Sequence, residues 1–133
     1  MIFANLDWIA ILLGAIFNMI LGSLWYGVFF GKKWLELMEK SKEDFEGGNS
    51  SIYIITFAAA LVSAAVLSFI VNGLGITSWY GGILTGAAIW LGIGAVATLT
   101  ISLYEGRKIS LWVLFAFYQL IVFAVQGIAF AIW

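Results

Sequence analysis

The sequence has no cysteine, no histidine and no proline. Without cysteine there is no disulfide and no thiol nucleophile. Without histidine there is no imidazole base and no ordinary zinc site. Charge is also scarce. Six basic and seven acidic residues make up 10% of 133 residues, where a soluble domain of this size carries about 25%. So few charges cannot coat a soluble particle. The net charge of -1, with basic and acidic residues interleaved, also argues against a nucleic-acid partner. What the chain has in quantity is apolar surface: 64% hydrophobic residues, with 15 Gly, 11 Phe and 7 Trp. Its mean hydropathy is +1.09. These features predict an all-α integral membrane protein whose first partner is the lipid bilayer.

The charges are grouped. Asp7 stands alone, a dense block runs over 32–46, and Glu105, Arg107 and Lys108 form a late cluster. Charge-free stretches lie at 8–31, 47–104 and 109–133. A hydrocarbon core of roughly 30 Å takes about 20 helical residues. The first and last stretches therefore hold one span each. The middle one holds two, divided at 72–78 by a Gly-containing polar turn. A four-transmembrane-helix bundle in a single membrane domain (1–133) is predicted, with helices over 8–30, 52–73, 79–104 and 109–133. Asp7, Ser50 or Ser51, Ser78 and Ser110 stand where each helix needs an N-cap. The first span lacks a basic leader and is too long for the apolar core of a secretory signal.

All six Lys and Arg fall in the 31–50 and 105–108 loops. The positive-inside rule then places both loops in the cytoplasm and both termini outside. Aromatic residues cluster at the span ends. Trp8, Trp79, Tyr80 and Trp133 lie at the outer ends, and Trp25, Tyr26, Trp34, Tyr53, Tyr104 and Trp112 at the inner ends. Only Trp90 and Tyr118 sit near the middle of a span. Residues 32–46 read as a short amphipathic cytoplasmic helix between helices 1 and 2. Trp34, Leu37, Met38 and Phe45 lie on its apolar side, Glu36 and Lys40 form an i,i+4 pair, and Gly47 and Gly48 end it.

No ionisable acid or base lies inside a span, which argues against proton-coupled transport. Asp7 and Glu105, at the boundaries, read as a cap and a loop charge. The polar residues left in the spans are amides, hydroxyls and indoles. Asn18, Trp90, Tyr118, Gln119 and Gln126 are the candidates for a polar pocket or for helix packing. Gly14, Asn18, Gly22 and Trp25 share one face of the first span; Thr85, Gly92 and Ser102 share a stripe of the third. Gly82 with Gly86, and Ala60 with Ala64, form small-xxx-small pairs. No nucleophile–base pair, phosphate loop or metal constellation is visible, so neither enzymatic activity nor a cofactor is expected. The end of the first span (Phe30, Gly31, Lys32, Lys33) resembles that of the third (Glu105, Gly106, Arg107, Lys108). Two parallel halves or, more simply, a generic helix stop would explain it.

The run Gly22-Ser23-Leu24-Trp25-Tyr26-Gly27-Val28-Phe29-Phe30-Gly31-Lys32-Lys33-Trp34 resembles a widespread family of small prokaryotic membrane proteins catalogued only as a domain of unknown function. The resemblance implies a similar length, four spans and a place in the prokaryotic cell membrane, and it supplies no activity. It groups Trp25, Tyr26, Gly31, Lys32 and Trp34 as one membrane-exit motif of aromatic anchors, a Gly hinge and basic snorkelling residues. Three functions remain open: a structural or interaction subunit that forms a homo-oligomer or joins a larger membrane complex; an oligomeric channel or facilitator for a small neutral or lipophilic solute; and a lipid- or quinone-binding protein.

Overall fold

In lipid, a backbone amide has no water to bond, so apolar segments of this length become helices whatever their propensity. The computed structural model describes residues 7–38 and 50–133 and shows helices throughout, with no strand among them. Helix α1 (Trp8–Leu24) continues into a π-helical turn, π1 (Trp25–Phe29), and α2 (Gly31–Met38) follows. After α3 (Ser50–Gly73) comes a compound span of α4 (Trp79–Ile89), a π-helical segment π2 (Trp90–Ala95) and α5 (Val96–Tyr104). Helix α6 (Ile109–Ile132) completes the chain. Four stretches, Trp8–Phe29, Ser51–Gly73, Trp79–Tyr104 and Ile109–Ile132, are long and apolar enough to cross a membrane. The expected division is thus observed. The helix expected over 32–46 is present as far as Met38, and its remainder, with Lys40, Phe45, Gly47 and Gly48, lies outside the described residues.

Two of the predicted caps form. Asp7 Oδ1 accepts from the Ile9 and Ala10 amides at 3.0 and 3.2 Å, and Ser78 Oγ accepts from the Gly81 amide at 3.2 Å. Helix α3, which forms the second span, already includes both Ser50 and Ser51, so neither takes the expected place before it. The Ser110 cap is corrected. Helix α6 begins at Ile109, where the span was expected to start, so the cap position is Lys108, two residues before Ser110, and no side-chain cap bond forms. Gly106, at φ +71°, turns the chain tightly enough that the helix starts before Ser110 can serve. Gly75, at φ +70°, does the equivalent work after α3.

Helix α6 is the hub: it packs against α1, α3 and α4, while α1 also packs on α3. The core gathers Ala10, Ile11, Ala64, Leu67, Val71 and Phe130. The Trp133 indole donates to Asp7 Oδ2, so both ends of the described chain meet on one face, the terminal face. Lys32, Lys33, Glu105, Arg107 and Lys108 lie on the opposite face, the loop face. Exposed aromatics mark both borders: Trp8, Trp79 and Tyr80 at the terminal face, Tyr53 and Tyr104 at the other.

Candidate functional site

Helix α6 runs antiparallel to α1 and to the α4–π2–α5 span, and a seam of specific contacts follows each pairing. Along α1, Gly14, Asn18, Gly22 and Trp25 all face α6, as their shared helical face predicts. Gln126 Nε2 donates to the Gly14 carbonyl at 2.8 Å. Tyr118 Oη donates to the Asn18 carbonyl at 2.8 Å and also meets Asn18 Oδ1. Trp25 Nε1 donates to the Leu114 carbonyl at 3.0 Å. Gly22 makes room for the phenol: a Cβ there would stand 2.9 Å from Tyr118 Oη.

The second seam changes character along its length. At Gly82 and Gly86 the backbones of α4 and α6 touch. A methyl group on Gly82 would overlap the Gly127 carbonyl, and one on Gly86 the Phe123 carbonyl. This is the small-xxx-small pair acting as packing surface, close enough for Cα–H···O contacts. One turn beyond Gly86, an indole takes the place of the backbone contact. Trp90 Nε1 donates to the Ala116 carbonyl at 2.8 Å. From the other side, Trp112 Nε1 donates to the Ala95 carbonyl at 3.2 Å and to Thr98 Oγ1 at 3.1 Å. Ala60 and Ala64, the small pair of α3, are buried.

The candidate residues therefore separate into three places. Asn18 and Tyr118 touch; Gln126 lies two helical turns nearer the terminal face; Trp90 grips the α4 side of the same helix. Gln119 is half-buried and no hydrogen bond joins it to this set. The indole donors Trp25 and Trp112 had the look of border aromatics in the sequence, and their structural role lies in contacts that cross the bundle. Trp90 carried a usable signal: an indole N–H in a charge-free span must find an acceptor, and among helices that acceptor is a carbonyl.

At the loop face the exit motif forms one aromatic nest. Trp25 and Phe30 ring centroids are 4.6 Å apart, Tyr26 meets Trp34 edge-on at 5.2 Å, and Tyr26 meets Tyr118 edge-on at 5.8 Å. Gly31 is buried, because a Cβ there would press on the Tyr26 carbonyl at 3.1 Å. Lys32 is exposed beside it. Gly31 and Gly106 end their spans differently: the first sits within α2, the second in a left-handed turn.

Two hollows open at the surface. One of about 300 Å³ lies on the terminal face among Asp7, Ser68, Asn72, Thr77 and Trp133. One of about 360 Å³ lies on the loop face between α2 and the start of α6. Among the described residues no group of His, Cys, Asp or Glu is arranged to hold a metal ion.

Fold and seams define a class: a multi-pass helical membrane protein whose span polar groups hold one central helix in register. The sequence matches the family described as Protein of unknown function (DUF1761) over residues 9–131, and the chain belongs to that family. No curated protein and no solved structure matches it.

Proposed function

We propose that this protein is a non-catalytic interaction subunit of the prokaryotic cell membrane, which assembles with further copies of itself through the loop-face end of α3. One observation carries the reading. Ile52, Tyr53, Ile54 and Ile55 make up a full helical turn and are 60%, 64%, 69% and 67% exposed, so no side of that turn is covered by its own bundle. Elsewhere α3 is packed, with Ala60, Ala64, Leu67, Ser68 and Val71 buried. In lipid, association rests on packing rather than on water exclusion, and a bare turn at the border of a span is where a second helix can dock. The polar span residues support the same reading: Trp90, Tyr118 and Gln126 donate to carbonyls of a neighbouring helix, Tyr118 to that of Asn18, as packing elements do. A solute path, if the assembly has one, runs between copies, since Tyr118 and Gln126 close the α1–α6 seam.

The termini are proposed to lie outside and the loops 31–50 and 105–108 in the cytoplasm, supported by the confinement of all Lys and Arg to those loops. The native chain has no cysteine, so single-cysteine variants report cleanly. I55C is expected to form a disulfide-linked dimer in native membranes, while L84C, equally exposed on α4, is not. Equal cross-linking at both positions would overturn the reading. A reporter fused after residue 133 should be active only outside the cytoplasm.

A further inference from the structure

The hollow on the loop face has walls of two kinds. Arg107 and Lys108 supply positive charge, and Leu37, Met38 and Leu111 supply apolar surface, with Gly106 between them. The left-handed turn at Gly106 brings the two basic residues to the head of α6. No side chain caps that helix start, so the positive end of its dipole adds to the same potential. Glu105 pairs with Arg107 Nε at 2.8 Å and Lys108 is engaged as well, but all three side chains are exposed to solvent, and such contacts exchange readily in water. The planar guanidinium keeps its other N–H groups for an oxyanion such as phosphate. The hollow lies where the third span ends at Tyr104 and the fourth begins at Ile109, which is headgroup depth.

We propose that this hollow binds the phosphate of an anionic phospholipid. Arg107 and Lys108 hold the phosphate, and Leu37, Met38 and Leu111 receive the first carbons of an acyl chain. A free anion would use only half of this surface; a zwitterionic lipid would bring its own cation against Arg107 and Lys108. The proposal is independent of the oligomeric state and of which face is cytoplasmic.

Native mass spectrometry of the full chain in detergent, titrated with phosphatidylglycerol or phosphatidylcholine, tests it. The wild type is expected to retain phosphatidylglycerol preferentially, by roughly fivefold for each contributing cation. R107Q/K108Q should lose that preference while keeping its helical circular dichroism. K32Q/K33Q, which removes two exposed charges of the same face that do not line the hollow, should keep it. Should R107Q/K108Q fail to fold, K108Q alone is expected to lose about half of the logarithmic preference. Three results would each overturn the proposal: no lipid preference in the wild type, equal loss in K32Q/K33Q (general surface charge), or displacement of the lipid by inorganic phosphate as effectively as by phosphatidylglycerol (a free-anion site).

Discussion

The terminal-face half of the bundle and its loop-face half are built on different separations. Near the terminal face, glycine lets α4 and α6 touch backbone to backbone, and Ala10, Ile11, Ala64, Leu67, Val71 and Phe130 fill a dense core. Toward the loop face the helices spread. Indoles from Trp90, Trp112 and Trp25 bridge gaps that a backbone contact cannot, both π-helical segments occur there, and Ile52, Tyr53, Ile54 and Ile55 of α3 are exposed. A π turn inserts a residue and re-aims the side chains after it, and such turns recur at functional sites. Here each one begins at a Trp whose indole reaches α6. The lesson is that stability and openness are assigned to opposite ends of the same helices.

The strongest way to break this contrast is to put the same methyl group at two depths of one span. G82A drives a Cβ into the Gly127 carbonyl, and neither partner can rotate away because both are backbone. The cost is expected at about 3 kcal/mol or more, at or above the usual range for overpacking. G92A, ten residues along in π2, meets nothing within 4 Å. It should be neutral or should stabilise by up to about 1 kcal/mol through helix propensity. Unfolding by SDS in mixed micelles measures both. If G82A is as mild as G92A, the helices are not in contact there and the two-ended description fails.

The indole bridges give the next effect. W90F keeps an aromatic ring in the gap but removes the donor to the Ala116 carbonyl. Interhelical bonds in bilayers average about 0.6 kcal/mol and reach about 1.7, so a loss of about 1 kcal/mol is expected. The same substitution at Trp79, an exposed border residue, should leave unfolding unchanged. Equal effects at the two positions would mean that the Trp90 bond does not hold the spread helices.

Much of this was readable beforehand, and the boundary is physical. Span number and limits follow from hydropathy, because lipid forces any apolar stretch of that length into a helix. The α1 face of Gly14, Asn18, Gly22 and Trp25 was readable from periodicity, and so were the caps at Asp7 and Ser78. The Ser110 cap was misplaced because the left-handed Gly106 turn lets α6 start at Ile109. The π segments left no trace in composition, since they depend on what the third helix offers. Trp25 and Trp112 look like border aromatics in one dimension; only the antiparallel register with α6 or π2 brings carbonyls within reach of their indoles. Asn18, Trp90, Tyr118, Gln119 and Gln126 could be named as pocket or packing candidates but not placed relative to one another, because sequence gives a side chain's helix face but not which neighbour occupies it.

The smallest effect compares the two hydrogen bonds of the α1–α6 seam. Y118F, in the loop-face half, loses a hydroxyl that engages Asn18. Nothing is gained in exchange, and the Asn18 side chain loses the phenol it meets, so about 0.6 to 1.7 kcal/mol should be lost. Q126L, in the terminal-face half, also loses one bond, from Nε2 to the Gly14 carbonyl. Yet Gln126 is 1% exposed and its Oε1 has no partner. An unpaired buried polar atom costs about 1 to 3 kcal/mol, and leucine removes that cost together with the bond. The two terms oppose each other, so Q126L should change unfolding by less than about 0.5 kcal/mol and can raise stability. A loss in Q126L as large as that in Y118F would show that Oε1 is satisfied in the membrane, by water entering from the terminal-face hollow one helical turn above it. That hollow includes Phe130 and Ala10, the residues four positions beyond Gln126 and before Gly14. The dense half would then be wetter than the open one at its centre.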